Sequence, residues 1–345
     1  MQIDIKSLEP EELSTLFSEI GEKSFRAKQV FKWLHGGVQS FEEMTNLPAS
    51  LRNTLDSRCR ITVPRIARKQ VSAQDGTIKY LWELADNNTV ESVLMSYEHG
   101  NTICISTQVG CRMGCAFCAS TLGGLVRNLS PSEMLDQVMF SGLDAGKRIS
   151  NIVLMGIGEP LDNFENVIKF LSLVNNPLGM NIGMRHISLS TCGLAENIDK
   201  LGVYNLQLTL SVSLHAADDE TRSRIMPVNK RFGVERLLKS CDDYFAKTGR
   251  RISYEYAMIS GVNDSVRHAE IISEKLKGKG SHLNLILLNN VEEREFEPST
   301  AKNIKAFTRV LDKNSINYTF RRRLGSDIDA SCGQLRRNAG NLHTP

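Results

Sequence analysis

The sequence predicts an α/β protein built on a partial, open (βα)6 barrel. An N-terminal helical and small-β accessory domain precedes the barrel, and a C-terminal cysteine-bearing extension follows it. Three observations lead there. From residue 102 onward, short apolar runs alternate with helix-periodic stretches, as in successive βα units. The runs "NIVLMG" and "HLNLILL" are continuously apolar, the pattern of strands covered on both faces in a parallel sheet. Three cysteines follow the first barrel strand, 102–108, at the barrel end where such folds gather their chemistry. Six units and a last strand fall short of the eight of a closed barrel, so an open one is expected.

Residues 1–60 read as a helical accessory domain. "PEELSTLFSEIG" and "SFRAKQVFKWLHGG" space their apolar residues at helical intervals and stop at glycine, and "SFEEMTNLPASLRNTLDSR" continues the pattern. Residues 61–97 read as a small β segment: "TIKYLWELADNNTVESVLMSY" suggests two strands around a turn at Asp86-Asn87-Asn88. The core is assigned to 98–325. Its strands are expected at 102–108, 151–156, 186–191, 206–214, 251–259, 282–288 and 317–323, and its helices at 131–144, 163–174, 195–201, 234–248, 265–278 and 300–314. The helix at 131 has the clearest start: Ser130 as N-cap, Pro131 in the first turn and Glu133 completing a capping box. Residues 326–345 form the extension.

Composition excludes several classes. A 41% hydrophobic and 23% charged chain of 345 residues is ordinary for a globular protein. No apolar run approaches the roughly 20 residues that span a bilayer. The opening "MQIDIKSLEPEE" is too polar for a secretory signal, so a cytoplasmic chain without membrane contact is expected. Net charge is only +3, yet Arg58, Arg60, Arg65, Arg68 and Lys69 cluster without an acid, and Arg321, Arg322, Arg323, Arg336 and Arg337 come near the end. Such patches suit a polyanion such as RNA, or form a solvated face. Eight cysteines in a chain without a secretory signal point to metal or redox work rather than a disulfide framework. Cys59 and Cys241, in helix-like segments, read as small buried apolar residues.

The stretch "GCRMGCAFCAS" places Cys111, Cys115 and Cys118 at gaps of Cys-x3-Cys-x2-Cys. Iron–sulfur clusters usually take four thiolates. Three leave one iron open to a small molecule. The competing reading is zinc, completed by a distant Cys104 or His215. The spacing, with Phe117 before the last cysteine, resembles the radical S-adenosylmethionine (SAM) superfamily. That resemblance implies a [4Fe-4S] cluster on the three cysteines, with SAM on the open iron. "MGIGEP" after the second strand resembles the superfamily's Gly-Gly-Glu element: Gly156 and Gly158 admit close backbone approach, and Glu159 accepts from the SAM ammonium. Ser190 ends the third strand and "SVSLH" the fourth. Taken singly, each is equally a turn or a strand-end hydrogen bond.

Further stretches narrow the resemblance. "ISLSTCG", "SLHAADDETRSRIMPVN", "GVNDS", "GSDIDASCGQL", and the N-terminal "FRAKQVFKWL" and "MTNLP" together resemble the RlmN family of dual-specificity RNA methyltransferases over nearly the whole chain. The resemblance implies methylation of adenine carbon 2 in 23S rRNA and tRNA. It implies Cys332 as methyl carrier, Glu91 as proton acceptor and Cys104 as resolving thiol, with a Cys104–Cys332 disulfide left after release. It also implies SAM contacts at Gly158, Glu159, Ser190, Ser213, Leu214, His215 and Asn289, although Leu287 stands where the family more often has proline. An electron-donor protein as partner and a monomeric chain complete the expectation. On residues alone, Glu91 reads as a solvent-facing strand residue and Cys104 as a packed one. Two rivals stay open: a Cfr-type adenine carbon 8 methyltransferase, and a non-catalytic iron–sulfur RNA-binding protein, which gives no reason for both Cys104 and Cys332.

Overall fold

A computed structural model describes residues 2–336; Arg337 of the second basic cluster and the end of the extension lie outside them. The chain opens with β1 (Ile3–Asp4) and the helices α1 (Pro10–Glu19), α2 (Ser24–His35) and α3 (Ala49–Arg58). The stretch "SFEEMTNLP" between the last two holds a 3-10 turn at Phe41–Glu43, capped by Ser40 and Glu43, rather than a continuous helix. β2 (Cys59–Arg60) returns to pair with β1.

Three strands follow where two were expected: β3 (Arg65–Val71), β4 (Ile78–Glu83) and β5 (Thr89–Tyr97). The "RIARKQV" of β3 reads in the sequence as a charge cluster rather than a strand. It is an edge strand, where lysine and arginine discourage pairing with other chains. These strands do not form a sheet of their own. β5 pairs antiparallel with β6 (Gly100–Cys104), which opens the parallel barrel. The ribbon β7 (Gln108–Gly110) and β8 (Leu125–Asn128) brackets the cysteine loop. Then come α4 (Pro131–Ala145), β9 (Ile149–Leu154), α5 (Phe164–Asn175), β10 (Ile187–Thr191), α6 (Ala195–Val203), β11 (Thr209–Ser213), a short α7 (Asp219–Ile225), α8 (Val234–Thr248), β12 (Ile252–Met258), α9 (Val266–Leu276), β13 (Ser281–Leu287), α10 (Ala301–Lys313) and β14 (Tyr318–Phe320). One ten-stranded sheet results, ordered β14-β13-β12-β11-β10-β9-β6-β5-β4-β3 and parallel from β14 to β6.

The strands end earlier than their apolar runs suggest, for identifiable reasons. After Cys104 the chain stays extended but turns to other partners, Ser106 N–H donating to Gln137 Oε1 at 2.8 Å. After Ser213, His215 takes φ +55°, and the N–H groups of Leu214 and His215 both donate to the Glu255 carbonyl. β14 stops at Phe320, although Arg321 N–H still donates to the Leu285 carbonyl at 2.9 Å.

The N-terminal helices share the barrel's core. One apolar cluster runs without a break from Ile5, Phe17 and Phe31 through α4 and α5 to Phe307. A buried ion pair locks the junction: Lys6 Nζ donates to Asp136 Oδ1 of α4 and to the Thr62 carbonyl, both at 2.5 Å. No helix among the described residues is long and apolar enough to cross a membrane.

Candidate active site

The cysteine loop owes its position to the ribbon beneath it. Gly110 has φ +78°, and a Cβ there would lie 1.9 Å from the Gly124 carbonyl oxygen, so only glycine closes the loop. Cys111 N–H donates to that same carbonyl at 3.0 Å. Ala116 N–H reaches the Ile225 carbonyl of α7 at 2.8 Å, and Arg294 holds the Cys118 carbonyl at 3.1 Å. The loop is thus fixed from three directions, and Cys111, Cys115 and Cys118 all border one cavity inside the barrel mouth.

Burial pushes the Cys111 thiol up to about 12 and raises Cys115 and Cys118 in the same sense. Thiols so placed ionise when iron replaces their protons. Among the described residues no three His, Cys, Asp or Glu side chains converge as a single-ion site. The three thiols border the same cavity.

The same cavity is bordered by Gly158, Glu159, Ser190, Ser213, His215 and Asn289. Gly158 has φ +107°, and a Cβ there would meet the Gln108 backbone nitrogen at 2.8 Å. Its neighbour Glu159 is buried, with Oε1 accepting from Leu161 N–H at 3.0 Å and Oε2 from Cys192 N–H at 2.7 Å. Burial raises its pKa while the Cys192 hydrogen bond opposes the rise. Ala257 N–H donates to His215 Nδ1 at 2.9 Å, so a neutral ring carries its proton on Nε2. Burial brings His215 down to about 3 and keeps it neutral. Asn289 Nδ2 donates to the Cys332 carbonyl at 2.9 Å, while its buried Oδ1 has no partner. An orphaned acceptor in the cavity wall is what a donor-bearing ligand would satisfy. Three thiols, a glycine-floored strand end and that acceptor fit a cluster with SAM beside it. Leu214 alone of the expected contacts is not on the wall: it packs in the apolar core.

Cys104 and Cys332, remote in sequence, border a second cavity with Val93, Met95 and Met155. Cys104 pairs with Val93 in the β5–β6 register. Cys332 is brought in by the C-terminal segment, which crosses the open seam of the barrel. Gly325 N–H donates to Asp75 Oδ2, Lys79 Nζ to the Asp329 carbonyl, and Ser120 Oγ to the Leu335 carbonyl. All eight cysteines are free. Cys59 and Cys241 are buried as expected, and Cys192 lines the main cavity.

Glu91 is buried, not solvent-facing. It lies two residues before Val93 and so on the same face of β5. Lys79 Nζ sits 3.0 Å from its Oε1, and Arg336 N–H donates to Oε2 at 2.9 Å. Burial raises its pKa, partly offset by Lys79.

Sequence reasoning passed over several residues that build this site. Arg222 of α7 is fully buried and donates to the carbonyls of Cys192 (2.7 Å), Ser213 (3.0 Å) and Leu214 (3.0 Å), tying two strand ends together. Glu255 and Arg321 line the main cavity. An acid in the apolar run "ISYEYAM" was the available signal for Glu255; Arg321 was hidden in a basic cluster. The basic residues themselves divide. Arg65 pairs with Glu83, Lys69 with Asp144 and Arg336 with Glu293, whereas Arg58, Arg60 and Arg68 are exposed and take part in no ion pair among the described residues.

A partial parallel barrel with three thiols in its first loop and a Gly-Glu step after its second strand defines a radical SAM enzyme, and residues 105–271 match the Radical SAM superfamily model. Residues 3–61 match the ribosomal RNA large subunit methyltransferase N-terminal domain. The chain is 51% identical over 336 residues to the probable dual-specificity RNA methyltransferase RlmN of Alkaliphilus metalliredigens, covering 97% of this chain and 96% of that protein. It is also 51% identical over 338 residues to the protein so named from Lachnoclostridium phytofermentans, covering 98% and 95%. A solved radical SAM methyltransferase from Sphaerobacter thermophilus matches with a TM-score of 0.92 at 38% identity, covering 96% of this chain and 99% of that one. The chain belongs to the RlmN family.

Proposed function

We propose that the protein methylates carbon 2 of an adenine in 23S rRNA and in tRNA, through a methyl group carried on Cys332, consuming two SAM molecules per turnover. The observation that carries this reading is the cavity shared by Cys104 and Cys332 beside the main one. Carbon 2 of adenine is electrophilic and cannot displace a methyl group from a sulfonium. A route through an enzyme-bound methyl removes that obstacle.

A [4Fe-4S] cluster on Cys111, Cys115 and Cys118, with SAM held by Gly158, Glu159, Ser190, Ser213, His215 and Asn289, supplies when bound a SAM-derived carbon radical able to take hydrogen from an unactivated methyl. Leu214 backs this wall from the core. Cys332 accepts the methyl group as a thiolate in a polar displacement. The S-methyl group then loses a hydrogen atom and adds to the base, joining RNA and enzyme. Glu91 takes the proton at carbon 2, and the unpaired electron left by the addition would return to the oxidised cluster; burial makes Glu91 a stronger base than an exposed carboxylate. Cys104 attacks the Cys332 sulfur, releases the methylated base and leaves a disulfide.

Arg58, Arg60 and Arg68 are free to meet phosphates, which positions the RNA without selecting the base. The target base leaves its stack to enter the barrel mouth. The helical 1–60 and β 61–97 segments thus act as the RNA-gripping accessory part, 98–325 as the catalytic core and 326–345 as the carrier extension. An electron-donor protein reduces the cluster, and the chain works as a cytoplasmic monomer.

The test compares two variants. Cys104→Ala keeps the carrier and loses the resolving thiol, so a nuclease-sensitive RNA–enzyme adduct accumulates on a denaturing gel. Cys332→Ala forms none. Equal shifts in both, full activity in either, or 8-methyladenosine as the main product of the wild type sinks the proposal.

A further inference from the structure

Neither Arg321 nor Glu255 has a part in the scheme above, yet both face its centre. Arg321 borders the main cavity, the Cys104–Cys332 cavity and a third opening beside Arg322 and Arg323. Its Nη1 and Nη2 lie 3.3 and 3.2 Å from Met155 Sδ, and Nη1 lies 3.5 Å from Glu255 Oε2. Glu255 is buried and held in turn, accepting from Asn284 Nδ2 at 2.9 Å and from Ser253 Oγ at 3.2 Å. The guanidinium is therefore pinned by β12 and by the loop after β9. It lines the same cavity as the two thiols.

We propose that Arg321 is a positioning residue for the resolving step: anchored by Glu255 and Met155, its charge favours the thiolate form of Cys104 as that sulfur attacks the Cys332 sulfur. This rests on the function proposed above. The need is chemical. Cys104 sits in an apolar pocket with Val93 and Ala330; burial, with Cys332 adding to it and Arg321 opposing, leaves its thiol at about 12. A thiol so protonated is a poor nucleophile. The ionisable groups around the guanidinium are Tyr97 from β5, Cys104 from β6, Glu255 from β12 and Cys332 from the extension, with Arg322 next in the chain. Arg321's own pKa is raised, first by Cys332 and then, against its burial, by Glu255 and Cys104. In the step itself a Cys104 Sγ–Cys332 Sγ bond forms and the bond from Cys332 Sγ to the methylene carbon breaks. The electron pair of the broken bond goes to that carbon, which takes one proton from water to become the methyl group. The sulfurs are oxidised to a disulfide as the carbon is reduced, so no further reagent enters.

The experiment follows adduct formation and decay in the reconstituted holoenzyme with an RNA substrate, for wild type, Arg321→Met, Arg321→Lys and, as reference, Cys104→Ala. Loss of a facing charge moves a pKa by one unit or more, so Arg321→Met should clear its adduct about tenfold more slowly, or worse, near pH 7.5. Its clearance should recover as pH rises toward about 9, and Arg321→Lys should restore much of the rate. Glu255→Gln, which loosens the anchor, should slow clearance in the same pH-dependent way and carries the test if Arg321→Met does not fold. Wild-type clearance in Arg321→Met overturns the inference, as does a loss that neither pH nor lysine rescues, the mark of a packing role. Absence of both methylation and adduct in Arg321→Met also overturns it, by placing Arg321 earlier in the sequence. Failure of Cys104→Ala to form an adduct would instead sink the function on which the inference rests.

Discussion

At the scale of single residues, the site depends on positions where one atom too many is decisive. Gly158 combines a positive φ with a backbone approach to Gln108 that leaves no room for a Cβ. Glu159 N–H donates to Gln108 Oε1 at 2.8 Å, so the same approach fixes the carboxylate. Gly158→Ala should cost about 1–3 kcal/mol of stability from strain at this backbone conformation. It should also abolish SAM cleavage to 5′-deoxyadenosine while iron stays bound, because the three thiols belong to another loop. Thermal unfolding, iron content and product assay check this together. Loss of iron along with SAM cleavage would show that Gly158 supports the loop rather than the ligand. The sequence offered Gly158 and Glu159 as a motif but not Gln108, whose role appears only where two loops meet.

At the scale of elements, α2 illustrates how packing overrides a local preference. His35 ends the helix, where the dipole favours an imidazolium. Burial instead lowers its pKa from 6.5 to about 4, with the Lys6 charge adding to the effect. The ring stacks on Phe31 with centroids 4.0 Å apart, and Gly179 presses against its edge. A lowered histidine pKa means that the unfolded chain takes the proton first as pH falls. The contribution of neutral His35 is therefore complete above about pH 6.5 and is lost as pH falls toward 4, at up to about 1.4 kcal/mol per pH unit. His35→Gln should lose less stability than wild type between pH 7 and 5 in urea unfolding. Equal losses would show that the ring protonates freely in the folded state.

For the whole molecule, the boundaries suggested by composition do not divide the packing. Residues 2–60 share the core of the barrel, and β3 to β5 extend its sheet. The buried Lys6–Asp136 pair joins the two parts at a point where breaking either partner would strand a charge. The chain should therefore unfold in a single calorimetric transition, with van't Hoff and calorimetric enthalpies equal. Two resolved transitions would mean that the N-terminal helices fold as an independent unit.

The sequence by itself determined whatever is local. Helical and apolar periodicity gave the barrel order, with helix positions accurate to a residue or two, because those patterns follow from which face is buried. The Cys-x3-Cys-x2-Cys loop and the Gly-x-Gly-Glu step were legible because close spacing along the chain becomes close spacing in space. Only the tertiary structure decided what depends on distant segments meeting. It put Cys332 beside Cys104 by laying the extension across the open seam, turned Glu91 inward under Arg336, and drew Arg321 out of a basic cluster into the barrel. It also joined the antiparallel strands to the barrel's sheet. None of these has a local signature: strand register and seam closure are set by the summed burial of the whole core, and a single arginine or glutamate reads alike whether it faces water or a thiol.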